Sequence, residues 1–515
     1  MTEPVESGSA PFAPDDPNSV CGIEGDTQLT WAEWNDQANR LANALHDSGV
    51  RPGDVVAVRV RTRLEWLTIS LAVAKLHAVI VAVNYHLTPT ETAFILRDCK
   101  VRAAIVDDAD PAPLVEHWRA LDLAVIVSLD SVVDGTAGYD SMLTNGDNTH
   151  RPAADLARLI IYSSGTTGSP KGAPFGNWQN PPDEQVLREY QRSLAFDGGC
   201  GGPGNRMLIN LPMHHGSGPG YARVSLATGG SVVFARRFDA EETLALIERH
   251  QITHWIAVPT MLERIFKLPA ETLDRYDVSS LRFLQGGAAP FSVSLKQACN
   301  DYFGPVLYET YGATECGMIA GATPSDLASH PGTSGRPFRH VDVRIVDADG
   351  NPVTTGTAGE ICVLSPQVIG GYIGRGPLGS DKIDADGYYH TGDVGYLDED
   401  GLLYISDRII DMIISGGVNI YPAEIEAVIA THPDVINVAV IGVPDDDRGE
   451  QPLAFIETRP GAEVTDRDIA EFCAGKLAKY KWPRHIEFID EIPTNSMGKS
   501  LKRELRDRAP KRVTA

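Results

Sequence analysis

The sequence of 515 residues contains no apolar run near the roughly 18 residues that a membrane-spanning helix needs. Its start, residues 1–18, is acidic and rich in proline, unlike the basic and then apolar start of a secretory signal. We therefore expect a cytoplasmic protein with no integral membrane segment.

Basic residues are scarce. The chain has 45 Lys and Arg against 69 Asp and Glu, which gives a formal net charge of −24. A surplus of negative charge opposes nonspecific binding to nucleic acids and to anionic membranes. We expect no nucleic-acid partner, and any polyanionic substrate must be held by local features of the chain.

Cysteine is also sparse, with seven residues that never form a C-x-x-C pair. Scattered cysteines in an odd number are typical of reduced, structural thiols. The sequence therefore does not favour a metal site built on cysteine.

What is present is the composition of a globular protein, with 43% hydrophobic and 22% charged residues. From Thr30 to about residue 305, strand and helix patterns alternate, which predicts parallel sheets covered by helices on both faces. Residues 341–404 are short β-prone pieces with Asp-Gly turns, and mixed α and β patterns return after Arg408. We expect a domain boundary near residues 406–411.

The run from Tyr162 to Gly172 follows an apolar strand pattern and is rich in glycine and hydroxyl residues. Glycines let backbone N–H groups approach an anion, and Lys171 adds a positive charge, so the run predicts triphosphate binding. It is not a Walker A motif, because Gly165 and Gly168 are too close and Lys171 is followed by glycine.

Two further clusters carry chemistry. Tyr308–Gly317 combines aromatic rings with Thr314 and Glu315, and Glu315 can bind Mg²⁺ through oxygen. Tyr389–Gly395 places Asp393 beside glycines, where a carboxylate can accept from both hydroxyls of a ribose. Taken singly, each acidic residue is more simply explained by a turn or capping role.

Together and in this order, the motifs resemble the adenylate-forming superfamily of acyl- and aryl-CoA ligases, peptide-synthetase adenylation domains and luciferases. The resemblance covers Thr30 to about Arg506. Further stretches that carry it are Leu211–Gly216, Gln285–Pro290, Asp407–Arg408, Ile414–Glu426, Tyr480–Pro483 and Pro493–Lys499.

The resemblance implies an α/β fold with three parts. The first is a large N-terminal adenylation domain, residues 1–407, with αβαβα-type layered sheets and a small β-barrel-like subdomain at about 335–405. The second is a hinge at 408–411. The third is a small, mobile α+β domain, residues 412–515, that carries the catalytic lysine.

The resemblance also implies the residues that bind ATP, Mg²⁺ and coenzyme A. The ATP set is Ser163, Ser164, Thr166, Thr167, Lys171, Gly287, Ala288, Ala289, Glu309, Thr310, Tyr311, Thr314, Asp393 and Arg408. Glu315 is the implied Mg²⁺ ligand. Ser415, Gly416 and Gly417 are implied to border the coenzyme A tunnel.

Lys499 matches the catalytic lysine of the superfamily, and Thr314, Glu315 and His215 join it in the implied catalytic set. The chemistry of the lysine is clear. A carboxylate that attacks the α-phosphorus adds negative charge to an anionic centre, and a positioned ammonium stabilises it. The implied reaction joins a small carboxylic acid to coenzyme A through an acyl-adenylate, with release of pyrophosphate.

By the same resemblance, the acyl pocket is bordered by His214, His215, Val258, Gln285, Gly286 and Gly312. Small residues at Gly286, Gly287, Gly312 and Gly317 leave room for a flat or bulky acid, which favours aromatic or polycyclic acids over long linear ones. The paired histidines also allow a metal site, although neighbouring imidazoles are more often polar wall residues.

Two segments depart from the superfamily pattern. The hinge carries Ile410 where many members have Asp or Lys, so the balance between two domain orientations is expected to shift. Residues 173–182 and 198–204 are unusual, which leaves the shape of the acid site open.

Several alternatives remain at this stage. The final acceptor can be an amine or a carrier-protein thiol instead of coenzyme A, and a noncatalytic nucleotide-binding protein of the same fold is a more remote reading. The protein can be a monomer or a homodimer.

Overall fold

A computed structural model of this chain describes residues 16–163, 170–287, 289, 291–415, 418–445, 448–459, 461–474, 476–495 and 498–509. The strands, in chain order, are β1 (Val20–Glu24), β2 (Thr27–Thr30), β3 (Val55–Arg59), β4 (Val79–Ala82), β5 (Val101–Val106), β6 (Val125–Ser128), β7 (Ala137–Gly138), β8 (Arg158–Ser163), β9 (Lys171–Phe175), β10 (Arg206–Ile209), β11 (Ser231–Phe234), β12 (His254–Ala257), β13 (Phe283–Gly287), β14 (Leu307–Ala313), β15 (Gly317–Ala322), β16 (Arg336–Pro337), β17 (Asp342–Val346), β18 (Gly359–Leu364), β19 (Tyr389–Leu397), β20 (Leu403–Arg408), β21 (Ile413–Ser415), β22 (Val418–Ile420), β23 (Val435–Asp445), β24 (Gly449–Thr458) and β25 (His485–Phe488). The helices are α1 (Trp31–Asp47), α2 (Glu65–Lys75), α3 (Pro89–Asp98), α4 (Ala112–Trp118), α5 (Tyr139–Asn145), α6 (Glu184–Leu194), α7 (Ser217–Ala227), α8 (Ala240–His250), α9 (Pro259–Phe266), α10 (Ala270–Leu273), α11 (Val293–Phe303), α12 (Pro324–Ser329), α13 (Pro422–Ile429), α14 (Asp466–Cys473) and α15 (Lys502–Arg508).

The first sheet has the strand order β7-β6-β5-β3-β4-β8-β9. Its strands are parallel except β9, which returns antiparallel to β8 and pairs Ser163 with Lys171. The glycine-rich run between β8 and β9 therefore connects two paired strands.

The second sheet has the order β16-β15-β14-β13-β12-β10-β11-β1-β2. Its central strands, β14 to β1 in that order, are parallel to one another. The edge strands β2, β15 and β16 are antiparallel. In such a sheet, ligands bind beyond the carboxyl ends of the parallel strands, where the connecting loops meet.

Helices α1 and α2 share one hydrophobic core with both sheets. Trp34 and Leu67 on these helices are fully buried in the same cluster as Val58 of β3 and Met207 of β10. Helices α3 and α4 contribute to a separate cluster with other residues of the first sheet, such as Val81. Layers of helix and sheet therefore alternate, as the sequence predicts.

Local capping signals place several helix starts. The hydroxyl of Thr88 accepts from the backbone N–H of Glu91, and the Glu91 carboxylate accepts from the N–H of Thr88 at 2.8 Å. This reciprocal capping box, with Pro89 in the first turn, starts α3 where the sequence predicts it.

The third sheet is antiparallel, in the order β17-β18-β19-β20. The barrel-like subdomain expected from the resemblance is an open sheet over the described residues, because its edge strands β17 and β20 do not pair with each other. The chain then passes through a single turn, Ile409–Asp411, into the fourth sheet.

The fourth sheet has the order β22-β21-β24-β23, and β25 pairs with β24 in parallel. Residues of α13 and α14 share one hydrophobic cluster with it, and Leu505 of α15 lies in another. The predicted small α+β domain is thus present. Helix α14 ends at Cys473, because Ala474 adopts an extended conformation and forms a bridge with Leu477.

All seven cysteines are buried and none forms a disulfide, as the sequence predicts. Within the ranges that the structure describes, no helix combines the length and the apolar character required to cross a bilayer.

Candidate active site

The predicted site residues gather at the carboxyl end of the parallel strands of the second sheet. His214 and His215 follow β10, and Val258 directly follows β12. Beside them, Gly286 of β13 pairs with Glu309 of β14. Because β10, β12, β13 and β14 are neighbours in the sheet, these segments line one edge.

Three predicted nucleotide residues form a connected cluster, which we call the ribose clamp: Tyr311, Asp393 and Arg408. The Tyr311 hydroxyl donates to Asp393 Oδ2 at 2.7 Å, and Arg408 Nε donates to Asp393 Oδ1 at 3.1 Å. Asp393 and Arg408 are also paired across β19 and β20. Burial and the Asp393 carboxylate raise the pKa of Tyr311 well above its ordinary value, so the phenol stays protonated.

The charges of Arg408 and Asp393 act on Lys499 although it is far away in the sequence. Burial lowers the pKa of Lys499, and the Arg408 guanidinium lowers it further, while Asp393 opposes the shift. The neighbouring Gly498 has a positive φ of 72° and packs so closely on Thr260 that a side chain there would overlap it. Thr260 lies in α9, just after Val258. The predicted catalytic lysine is therefore brought to the same edge of the second sheet.

Glu315 and Lys171 are connected through Tyr372, a residue that the sequence analysis missed. The Tyr372 hydroxyl donates to Glu315 Oε1 at 2.9 Å, and Lys171 Nζ lies 5.2 Å from the centre of the Tyr372 ring. The next residue, Ile373, donates its N–H to the carbonyl of Gly172 at 2.8 Å. The segment thus ties the end of the glycine-rich run to the predicted metal ligand.

Glu309 differs from the expectation. Its carboxylate lies 2.5 Å from Lys296 Nζ and accepts from the Ser334 hydroxyl at 3.3 Å, and its exposed fraction is 9%. Burial raises the pKa of Glu309, while Lys296 opposes the shift. The side chain is committed to a buried ion pair, so only the main chain of Glu309 is free to border an adenine.

The glycines that were expected to leave room for a bulky acid do not do so. A side chain at Gly286 would overlap the Phe291 ring, and one at Gly287 would meet the backbone of Thr310. At Gly312 the space is filled by β15, and at Gly317 by Gln367. These glycines permit close packing and do not enlarge the pocket. They therefore give no support to the predicted preference for flat or bulky acids.

The two histidines are neutral wall residues. His214 is 8% exposed and lies edge-on to the Tyr85 ring, with 5.4 Å between ring centres. Burial lowers the pKa of His214 to about 3, helped by His215 and His86, and burial also lowers the pKa of His215. Over the described residues, the one group of three side chains that could hold a metal ion is Glu360, Cys362 and His390, which excludes both of these histidines.

The unusual segments after the phosphate run pack around the same strands. Phe175 of β9 fills the space beside Gly216 at the start of α7. Phe196 contacts Tyr308, with 4.7 Å between ring centres, and Phe283, with 6.0 Å. Phe175 is thus a wall residue beside the predicted acid pocket that the resemblance did not indicate.

The hinge is held by the C-terminal helix. Ile410 is 56% exposed, and its carbonyl accepts from Arg506 Nη2 at 3.2 Å. The same guanidinium contacts Asp411 Oδ1 at 2.5 Å. The contacts of Arg506 are thus to the backbone of Ile410 and the side chain of Asp411, and the Ile410 side chain is exposed.

Some predicted residues cannot be placed. Ser164, Thr166, Thr167, Ala288, Gly416 and Gly417 lie outside the described residues, as does the side chain of Ser163. Ala289 is described beside them, and Thr314 lies between β14 and β15 next to Glu315. Ser415 is buried at the end of β21, where it pairs with Gly449 of β24.

Comparison with known proteins identifies the family. The AMP-binding enzyme family matches residues 10–373, and the AMP-binding enzyme C-terminal domain matches residues 424–499. The chain is 34% identical to fatty acid–[acyl-carrier-protein] ligase ScoC of Streptomyces coeruleorubidus, over 97% of this chain and 94% of that one. It is 35% identical to a 2-succinylbenzoate–CoA ligase of Geobacillus kaustophilus, over 96% of each chain.

Among solved structures, the amide bond synthetase McbA from Marinactinospora thermotolerans superposes with a TM-score of 0.81 at 29% identity, over 95% of this chain and 96% of that one. The predicted fold class and superfamily are confirmed. This chain belongs to the AMP-binding enzymes, the adenylate-forming superfamily that its motif order indicates.

Proposed function

We propose that this protein is an ATP-dependent carboxylic acid–CoA ligase that activates a small acid as an acyl-adenylate and then transfers the acyl group to the coenzyme A thiol. One observation carries the proposal: Gly498 packs on Thr260 at the edge of the second sheet, and the charges of Asp393 and Arg408 act on the adjacent Lys499. A noncatalytic protein has no need of a partly buried ammonium group at this place.

The nucleotide is held by charges that already have fixed positions. Asp393 accepts from both ribose hydroxyls, and its orientation is set by Tyr311 and Arg408. Lys171, supported by the Tyr372 ring, contacts the outer phosphates together with the glycine-rich run. Backbone atoms of Gly287 and Glu309 border the adenine.

Glu315 fits a Mg²⁺ site because it offers carboxylate oxygen, the ligand type that Mg²⁺ prefers. Tyr372 donates to Oε1, and no described residue donates a hydrogen bond to Oε2. A Mg²⁺ ion held by Glu315 would neutralise phosphate charge.

In the first step, a carboxylate oxygen of the acid attacks the α-phosphorus of ATP. The bond from that phosphorus to the bridging oxygen breaks, and pyrophosphate leaves with the electron pair. Lys499 stabilises the charge that accumulates on the α-phosphate, because its ammonium group is held in a partly buried position where electrostatic attraction is strong. Thr314 lies next to Glu315 and contacts the same phosphate.

In the second step, the coenzyme A sulfur attacks the acyl carbon, the bond to AMP breaks, and the thiol proton is released. We place a hinge at 408–411 between an N-terminal domain, 1–407, and a C-terminal domain, 412–515. Rotation there withdraws Lys499 and brings Ser415, Gly416 and Gly417 to the pantetheine arm. Release of the Arg506 contacts to Ile410 and Asp411 accompanies the rotation.

Two other acceptors are represented among the similar proteins, one by the carrier-protein ligase ScoC and one by the amide bond synthetase McbA. Both share the first step. The acceptor is therefore the part of the proposal that needs the most direct test.

The test is acid-dependent release of pyrophosphate over fatty, aryl and polycyclic acids, followed by product mass with coenzyme A, with amines, and with a carrier protein. The proposal predicts an acyl-CoA mass and no comparable amide or acyl-carrier product. An amide or acyl-carrier product would show that the acceptor is an amine or a carrier protein instead of coenzyme A. If no acid leads to pyrophosphate release, the proposed reaction is contradicted.

A further inference from the structure

Gln285 has a buried side-chain amide with only one end satisfied. Its Nε2 donates to Thr310 Oγ1 at 2.7 Å and to the Tyr221 hydroxyl oxygen. Its Oε1 is buried without a hydrogen-bond partner among the described residues, and the whole side chain is 2% exposed. Exchanging oxygen and nitrogen would keep both hydroxyl contacts and leave the NH₂ group unsatisfied instead. An unpaired buried polar group is costly, so its presence indicates a partner that the described residues do not supply.

The amide lies at the floor of the predicted acid site. Gln285 is on β13, directly before Gly286 and Gly287 at the carboxyl end of that strand. Thr310 pairs with Gly287 across β13 and β14. Tyr221 lies on α7, the helix that begins just after His215. The three side chains therefore lie between the predicted adenine slot and the two histidines.

The groups around this amide are polar but neutral. Burial raises the pKa of Tyr221, and the titratable groups that face its hydroxyl, Cys200 and Tyr190, have raised pKa values for the same reason. His214 and His215 are also neutral near pH 7. A second carboxylate on the acid would find no opposite charge among these groups, whereas a hydroxyl or ketone needs none.

We propose that Gln285 is a specificity-determining residue that binds an uncharged hydrogen-bonding group, a hydroxyl or a ketone, on the acid at a distance from its reacting carboxylate. This inference rests on the proposed ligase function. It implies that the substrate is a hydroxy or keto acid, in preference to a pure hydrocarbon acid or a dicarboxylic acid.

Matched acids test the inference. The sets are built on benzoate, hydrocinnamate and naphthylacetate, each with the parent acid and its hydroxy, acetyl and carboxy derivatives. In at least one set we expect kcat/KM for pyrophosphate release to be about 10-fold or more higher for the hydroxy or acetyl acid than for the parent. The carboxy derivative should be the poorest of its set.

Variants assign the preference to the amide. Gln285→Leu should reduce the ratio between polar and parent acid to within about 3-fold, mainly through a higher KM of the polar acid. Tyr221→Phe keeps the ring and should lower the same ratio less. Gln37→Leu is the control. It replaces a glutamine on α1 that accepts a hydrogen bond from Thr68 on α2, and it should keep the wild-type ratio.

The outcomes separate the two levels of the argument. An unchanged ratio in a folded Gln285→Leu, or parent acids as the best substrates in every set, would overturn the role of Gln285 while leaving the ligase function intact. If none of the acids supports pyrophosphate release, the ligase function is contradicted and this inference fails with it.

Discussion

On the nucleotide side of the site, the charged groups have fixed partners, whereas the acid side is lined by neutral groups. Asp393 is held by Tyr311 and Arg408, and Glu315 by Tyr372. Across the sheet edge, His214 is neutral at pH 7 and Gln285 carries no charge. On the proposed function, this difference means that the triphosphate site is built in advance, while the acid is selected by shape and by uncharged hydrogen bonds.

The largest effect is expected where the pairing on the nucleotide side is buried. Lys296→Met leaves the Glu309 carboxylate without its opposite charge in a site where both side chains are nearly inaccessible. We expect a loss of about 3–5 kcal/mol in the free energy of unfolding, measured by urea denaturation.

The exposed pair of Arg275 and Glu241 supplies the control, since Arg275→Met should cost about 1 kcal/mol or less. Equal losses in the two variants would show that the Glu309 pair is not energetically buried.

The ribose clamp should give a smaller effect that falls on one substrate. Asp393→Asn keeps the shape but cannot accept from Arg408, Tyr311 and both ribose hydroxyls at once. We expect Kd for ATP to rise about 10- to 100-fold by calorimetry, with KM for the acid nearly unchanged. Asp386→Asn, at an exposed position, is the control and should match the wild type. An equal rise of Kd for ATP and KM for the acid in Asp393→Asn would contradict the distinction between the nucleotide side and the acid side.

A smaller effect still is expected at Tyr372. Tyr372→Phe removes the hydroxyl that donates to Glu315 but keeps the ring beside Lys171. The Mg²⁺ concentration that gives half-maximal ATP binding should rise about 3- to 10-fold, since one hydrogen bond to a charged group is lost. Tyr372→Leu should weaken ATP binding further, and a Phe variant with the wild-type Mg²⁺ midpoint would refute the positioning role.

The acid side should respond least, and its response to pH sharpens the comparison. Because the pKa of His214 is lowered to about 3, its imidazole stays neutral across the assay range, and the lowered pKa of His215 favours the neutral form there as well. KM for the acid should therefore change less than about 2-fold between about pH 6 and 8. A change of KM with pH centred near the ordinary histidine pKa would contradict the neutral state of His214 and His215.

The lowered pKa of His214 also determines how the free energy of unfolding changes with pH. In the window between the folded value of about 3 and the unfolded value of 6.5, the unfolded state binds more protons at His214. Stability therefore rises with pH through that window and is lost as the pH falls through it.

Motif order alone predicted that Asp393, Arg408 and Lys499 act together, and the structure brings these three side chains to one place. The alternating pattern also predicted helices between the strands, and a helix start such as Thr88 depends on a capping box between residues close in sequence. These features depend on spacing or on short-range hydrogen bonds, which a sequence displays directly.

The rest depends on which side chains meet across elements. The pairing of Glu309 with Lys296 joins β14 to α11, and the ring that fills the space at Gly286 comes from Phe291. A sequence shows that a glycine is small but not which neighbour occupies the space beside it. Tyr372 was missed for the same reason, since its partners Glu315 and Lys171 are distant along the chain.

The proposed role of Lys499 is tested most directly by measuring the two half-reactions separately in Lys499→Ala. With a substrate acid found in the panel, single-turnover formation of the acyl-adenylate should fall about 100-fold or more. Thioester formation from the preformed acyl-adenylate and coenzyme A should stay within about 3-fold of the wild type, because the proposed role of Lys499 is confined to the first step. Equal loss in both half-reactions, or wild-type adenylate formation, would contradict the proposed role of Lys499.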